Sequence, residues 1–137
     1  MPMITEDSRI REILGQTRRI AVIGLSSNPS RPSHGVAAAL QKEGYGIVPI
    51  NPNEREVLGE NAFTDIAQVP GLVDVVDVFR SPGHVPQIVE ACIGCGVRTL
   101  WLQEGVVHEQ AAQKASDAGI DVIMDRCMLK EYQRLLG

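Results

Sequence analysis

Short runs of β-branched and aliphatic residues recur along the chain, each followed by a stretch whose apolar positions fall three and four apart. That alternation predicts parallel strands joined by crossover helices. Arg19-Ile20-Ala21-Val22-Ile23-Gly24 is apolar at successive positions, as in a strand covered by helices on both faces. Gly46 to Ile50, Val73 to Phe79, Thr99 to Leu102 and Asp121 to Met124 read as four further strands. Ile10, Ile13 and Leu14 share one face of a helix predicted over Asp7 to Gly15. Ser33 is placed to N-cap a second helix running to about Glu43, which Gly44 ends. Val85, Ile88, Val89 and Cys92 make one apolar helical stripe. Ala111, Ala112, Ala115 and Ala118 suit a helix packed closely on a sheet, and Leu129 to Leu136 closes the chain as a helix. Between Glu54 and Pro70 the pattern weakens to one strand-like piece and a helical turn near Thr64 to Gln68. No linker or repeat interrupts the alternation, so residues 1–137 are expected to form one α/β domain with a five-stranded parallel sheet.

Charge narrows the choice of partner. The formal net charge is −4, with both signs scattered along the chain, which argues against a nucleic acid or a membrane surface. No apolar run approaches the roughly 20 residues that span a bilayer. The polar segment Met1 to Arg11 does not resemble a signal peptide, and three cysteines do not make a disulfide framework. A cytoplasmic protein with reduced thiols is expected.

In open parallel sheets, ligands bind beyond the carboxyl ends of the strands. The loop after the first strand, Gly24-Leu25-Ser26-Ser27-Asn28-Pro29-Ser30-Arg31-Pro32-Ser33, is the most informative one. Gly24 permits a sharp turn close to a ligand, and a helix beginning near Ser33 would direct its free amides at an anion. Ser26, Asn28 and Arg31 add polar donors and a fixed cation suited to phosphate. The same residues would also serve as an ordinary surface turn capped by Ser33. The dinucleotide pattern G-x-G-x-x-G is missing, as is an acidic residue after the second strand, where Asn51-Pro52-Asn53 stands. The Walker pattern is absent too, so NAD and ATP are disfavoured.

Other chemistry-bearing residues have simpler readings. Cys92-Ile93-Gly94-Cys95 has redox or metal spacing, but a zinc site needs two more ligands and the motif falls at a helix C-terminus. Core packing of both cysteines is expected, with no metal site. His34, His84 and His108 all fall at helix starts. Glu104 is the one acidic group expected in the pocket. Cys127, beside Arg126 on the ligand edge, is a redox candidate or else a small residue starting the last helix.

Six segments taken together carry a family likeness. They are Ile23-Gly24-Leu25-Ser26, Pro29-Ser30-Arg31-Pro32-Ser33, Val48-Pro49-Ile50-Asn51-Pro52, Val76-Asp77-Val78-Phe79-Arg80, Thr99-Leu100-Trp101-Leu102-Gln103-Glu104-Gly105 and Met124-Asp125-Arg126-Cys127. In order and spacing the chain resembles the single-domain CoA-binding proteins, which are similar to the N-terminal domain of the succinyl-CoA synthetase α subunit. The resemblance implies a Rossmann-like doubly wound sheet of strand order 3-2-1-4-5, with coenzyme A across the strand ends. By position it implies that Gly24, Ser26, Arg31 and Ser33 meet phosphate and that Asn51 and Pro52 meet the nucleotide end. Arg80, Ser81, Gln103, Glu104 and Gly105 would lie nearer the pantetheine arm. Met128 follows Cys127 where the family pattern has proline. The synthetase's phosphohistidine belongs to a second domain, so no catalytic residue carries over.

The expectation is therefore a module that binds coenzyme A or an acyl-CoA without catalysis of its own, as a carrier, sensor or regulatory partner. Two alternatives stand beside it: an NAD(P)-dependent oxidoreductase, and a subunit active only with an ATP-grasp or acyltransferase partner. A protein partner or a homodimer is compatible with each. Cys127 could form a mixed disulfide with the thiol of coenzyme A.

Overall fold

A computed structural model describes residues 3–137. Along the chain run α1 (Asp7–Gln16), β1 (Arg19–Ile23), α2 (Pro32–Lys42), β2 (Gly46–Ile50), β3 (Glu56–Val57), β4 (Glu60–Asn61), β5 (Val75–Val78), α3 (Val85–Cys95), β6 (Thr99–Leu102), α4 (Glu109–Asp117), β7 (Asp121–Met124) and α5 (Met128–Leu135). The five strands expected from the apolar runs form one parallel sheet in the order β2-β1-β5-β6-β7. The fold is a Rossmann-like doubly wound α/β sheet.

Counting those five strands alone, the order is 2-1-3-4-5, not the expected 3-2-1-4-5. Two residue patterns explain the correction. All four residues of β5 are buried, which suits the central strand. Strand β2 carries Pro49, whose missing N–H is tolerated at a sheet edge. The point where the winding reverses therefore lies between β1 and β5.

The alternation of side chains splits the core into two layers. Ala21, Val76, Val78, Leu100 and Val122 face α3 and α4, packing on Val85, Val89, Cys92, Ala112 and Ala115. Ile20, Val22, Val75, Trp101 and Ile123 face α1, α2 and α5, packing on Ile10, Leu14, Leu40 and Met128. Ala118 is an exception among the expected packing alanines, since it follows the end of α4 in solvent. Cys92 is buried, as expected, and burial pushes its thiol up to about 12. Cys95 is exposed, contrary to expectation: it falls one helical position off the buried stripe, just before Gly96 ends α3 in the left-handed conformation at φ 69°.

Short extended pieces cover both edges of the sheet. The Ile4 amide donates to the Val122 carbonyl at 2.8 Å. On the other side Phe63 donates to the Pro49 carbonyl at 2.9 Å and accepts from the Asn51 amide at 2.8 Å. The irregular segment after β2 holds a small hairpin of β3 and β4 turning at Leu58 and Gly59, then a 3-10 turn at Ile66–Gln68. Helices α1 and α5 are joined by the ion pair of Arg134 with Asp7 at 2.7 Å, and Arg134 also pairs within α5 with Glu131 at 2.8 Å. The Arg134 guanidinium, with Arg126 beyond it, holds the Glu131 carboxyl below its ordinary range. Among the described residues no helix is long and apolar enough to cross a membrane.

Candidate functional site

A cavity of about 850 Å³ opens beyond the carboxyl ends of β1, β5 and β6, at the reversal of winding. Its size falls within the range of sites for drug-sized ligands. Gly24 sits at its floor. A Cβ there would lie 2.4 Å from the Phe79 carbonyl oxygen, and the backbone φ is +85°. Only glycine lets the ends of β1 and β5 approach this closely.

The loop after β1 is braced by its own side chains. Ser33 Oγ accepts from the Ser26 amide at 3.1 Å, Ser26 Oγ from Asn28 at 3.0 Å, and Asn28 Oδ1 from Ser30 at 3.0 Å. Glu54 accepts from the Ser27 amide at 2.9 Å, and that bond holds its carboxyl below the ordinary range. These amides are thus engaged within the protein. Helix α2 begins at Pro32, with Arg31 in the N-cap position, so Ser33 is not the cap that the sequence pattern predicts. Ser33 instead lies buried in the first turn, where its hydroxyl braces the loop. The amides of His34 and Gly35 turn back to the Arg31 carbonyl, whereas the Ser33 amide has no protein acceptor among the described residues. The Arg31 side chain is exposed at the cavity wall, and among the described residues it makes no ion pair. An uncommitted cation beside an unpaired first-turn amide can bind phosphate.

On the far side of Gly24, Asn51 spends its side chain on the loops. Its Nδ2 donates to the Leu25 carbonyl at 3.1 Å and its Oδ1 accepts from the Asn53 amide at 2.9 Å. Asn51 stands directly after β2 in place of an acidic residue that would hold a ribose diol, and the Glu54 carboxylate beyond it is taken up by the Ser27 amide. Beneath the cavity lies a carboxyl that the sequence reading gave no role. Asp77, in the middle of β5, is fully buried, and both its oxygens accept from Gln103 Nε2 at 2.9 Å. Burial pushes Asp77 up to about 7, and the Gln103 hydrogen bond pulls in the opposite direction.

The loops after β6 and β7 are tied together. The Gly105 amide donates to Asp125 Oδ1 at 2.8 Å, and the Trp101 indole N–H to the Arg126 carbonyl at 2.8 Å. Glu104 stands at the exposed rim, paired with Lys130 at 3.0 Å. Cys127 is buried at the N-cap position of α5 and lines the cavity. The guanidinium of neighbouring Arg126 is turned to Glu131, 2.9 Å away.

Of the residues expected to meet the ligand, Gly24, Ser26, Arg31, Ser33, Asn51, Gln103, Glu104 and Cys127 line this cavity. Asn28, Pro52, Arg80, Ser81 and Gly105 do not. Asn28 and Gly105 brace loops, and Arg80 reaches the ring of His84 at 3.0 Å. The sequence reading missed the apolar wall of Val36, Phe79, Val106 and Leu129, together with Lys130. Their signal was faint: single residues at strand and helix ends that gather on one edge only once the strand order is known. Asp77 had a clearer signal, a charge within the apolar run Val75-Val76-Asp77-Val78. No histidine lines the cavity, and His108 uses Nδ1 to accept from the Ala111 amide at 3.1 Å as the cap of α4.

Comparison with known proteins yields a consistent set. A family model described as a CoA binding domain matches residues 18–133. The uncharacterized protein YneT of Bacillus subtilis is 40% identical over 121 residues, 88% of this chain and 90% of that protein. The solved structure of a hypothetical protein from Pyrococcus horikoshii OT3 is 36% identical, with a TM-score of 0.94 over 97% of this chain and 94% of that one. The alpha subunit of acetate–CoA ligase [ADP-forming] II from Pyrococcus furiosus is 33% identical over 82 residues. That alignment spans 59% of this chain and 18% of the subunit.

Proposed function

We propose, on the premise that this chain belongs to the CoA-binding domain family, that it binds coenzyme A or an acyl-CoA in the cavity at the β1–β5 reversal point. The observation that carries the reading is the pairing of two unlike halves in one cavity. One half offers the free Arg31 cation and the unpaired Ser33 amide to a phosphate. The other offers the apolar side chains Phe79, Val106 and Leu129 to a long, weakly polar arm. Coenzyme A combines those two chemistries in a single molecule. In this reading the diphosphate lies at the start of α2, and the pantetheine arm runs over Gln103 toward Cys127.

Binding occurs without catalysis by the chain itself. The ionisable groups on the cavity wall are Arg31, Glu104, Cys127 and Lys130, and Glu104 and Lys130 are paired with each other. Nothing in that set couples a nucleophile to a general base. An NAD-dependent reading lacks support, because Asn51 is committed to the Leu25 carbonyl and the loop has one glycine in place of three. A carrier or regulatory role, acting through a protein partner in the cytoplasm, follows from this reading.

Calorimetry and thermal-shift measurements against coenzyme A, acetyl-CoA, NAD and ATP test it. Coenzyme A or its thioester should raise the melting temperature most, by mass action on the folded state. Equal stabilisation by NAD or ATP refutes the ligand assignment. Hydrolysis of acetyl-CoA by the isolated chain refutes the non-catalytic part.

A further inference from the structure

We propose that Asp77 is a positioning residue: its carboxylate holds the Gln103 amide so that the Gln103 carbonyl faces the cavity and accepts a hydrogen bond from an amide N–H of the pantetheine arm. The inference rests on the coenzyme A reading above and assigns the recognition of its uncharged portion.

Asp77 is an expensive residue for its place. It occupies the central strand, fully buried, with Val22 of β1 and Trp101 of β6 as its lateral neighbours in register. The rest of β5 is valine. A valine at 77 would fill the layer without burying a carboxyl, and a charge buried without a cation beside it is destabilising. Here the partner is a neutral amide. Packing alone gives no reason for the acid.

The acid does fix an orientation. A glutamine side chain can present its oxygen or its nitrogen with almost the same shape. A carboxylate only accepts hydrogen bonds, and both oxygens of Asp77 lie 2.9 Å from Gln103 Nε2. With Asp77 ionised, as it is above about pH 7, the nitrogen must face Asp77, which turns Oε1 the other way. Among the described residues no protein donor reaches Oε1, and no side-chain nitrogen or oxygen is both sealed from solvent and without a partner. Gln103 is only 4% exposed and lines the cavity, so its oxygen opens into that space.

An oriented, nearly buried carbonyl selects a donor and rejects another acceptor. Gln103 stands between the Arg31 end and the Cys127 end of the cavity, where the middle of an extended ligand passes. Pantetheine carries two amides, each with one N–H. A phosphate oxygen or a thioester carbonyl brings no hydrogen to that position.

The test compares coenzyme A with adenosine 3′,5′-bisphosphate, which lacks the arm, by calorimetry at about pH 8, where Asp77 is ionised, on the wild type and on Asp77→Asn, Asp77→Val and Gln103→Leu. Asp77→Val keeps an apolar β5 and removes the buried carboxyl, so it remains informative if Asp77→Asn folds poorly. Each variant should bind coenzyme A roughly three- to tenfold more weakly, the usual worth of one hydrogen bond. Affinity for the bisphosphate should not change. The Asp77→Val/Gln103→Leu double variant should lose no more than Gln103→Leu alone, since one residue acts through the other. Parallel loss of both ligands, additive losses, or unchanged coenzyme A affinity in the single variants each overturn the positioning role while leaving coenzyme A binding intact. A wild type that does not bind coenzyme A overturns both readings.

Discussion

The same buried carboxyl sets a pH dependence of stability that can be worked out in advance. The perturbation is Asp77→Asn, which keeps the shape and removes the titration. In the fold Asp77 ionises near 7, against an ordinary value of 3.8. Its proton is held more tightly by the folded chain than by the unfolded one, so unfolding between about pH 4 and 7 releases a proton. Stability from this group is full below pH 4 and is lost as pH rises through 7. Across the whole range the loss is about 4 kcal/mol, and roughly half or more of it falls between pH 5 and 8. The carboxyls of Glu131, Asp7 and Glu54 move in the opposite sense, because their hydrogen bonds lower them, and their contribution is complete by about pH 5. Urea unfolding of wild type and Asp77→Asn at pH 5, 6, 7 and 8 isolates the effect as a difference. The wild type should lose about 2–3 kcal/mol relative to the variant over that interval. Wild-type stability that holds level or rises with pH relative to the variant would show that Asp77 is ionised throughout and that water or an unseen cation compensates it.

Four further outcomes are expected. Gly24→Ala should destabilise the fold by about 2–4 kcal/mol, from the positive φ and the contact with the Phe79 carbonyl, and a loss under about 0.5 kcal/mol in urea would contradict that geometry. Arg31→Ala should weaken coenzyme A binding by about 1.5–3 kcal/mol while leaving pantetheine binding unchanged, as calorimetry on both ligands will tell. Glu131→Gln should cost about 2 kcal/mol at pH 7 by breaking bonds to Arg126 and Arg134. Because the Glu131 carboxyl is lowered in the fold, that cost should fade as pH drops below 4, and its persistence there would assign it to packing. Coenzyme A should slow alkylation of Cys127 by iodoacetamide and leave exposed Cys95 unaffected, a contrast that peptide mapping reads directly.

Much of the architecture was legible because parallel strands announce themselves. Ile20 to Ile23 is apolar on both faces, Val75 to Val78 is apolar but for Asp77, and the stripe from Val85 to Cys92 has helical spacing. Strand order was not read correctly, although Pro49 held the clue: a residue without an N–H belongs on an edge. The position of Gly24 as the hinge of the cavity was readable from its place after the first strand. The destinations of the loop hydroxyls were not. Ser33 as a helix cap and Ser33 as a brace for Ser26 have the same local sequence, and only the fold's path between residues 26 and 33 distinguishes them. Asp77 was read as part of a motif without a role, because its partner Gln103 lies 26 residues away on the neighbouring strand. Cys95 was misplaced by one helical position, about 100° of rotation, which separates a core residue from a solvent one.

The short pieces at the two sheet edges bear on how copies of this protein can meet. An open parallel sheet ends in rows of unpaired amides and carbonyls, a template on which another chain can stack to build a continuous, insoluble sheet. Here Pro49 has no amide to offer, its carbonyl is taken by Phe63, and on the opposite edge Ile4 occupies the Val122 carbonyl. Strand-to-strand extension is hindered at both ends, by Pro49 within β2 and by Phe63 and Ile4 outside the five strands. Self-association through the ends of the five-stranded sheet is thereby hindered, and trimming the segment around Ile4 should expose the Val122 carbonyl and make that edge stickier.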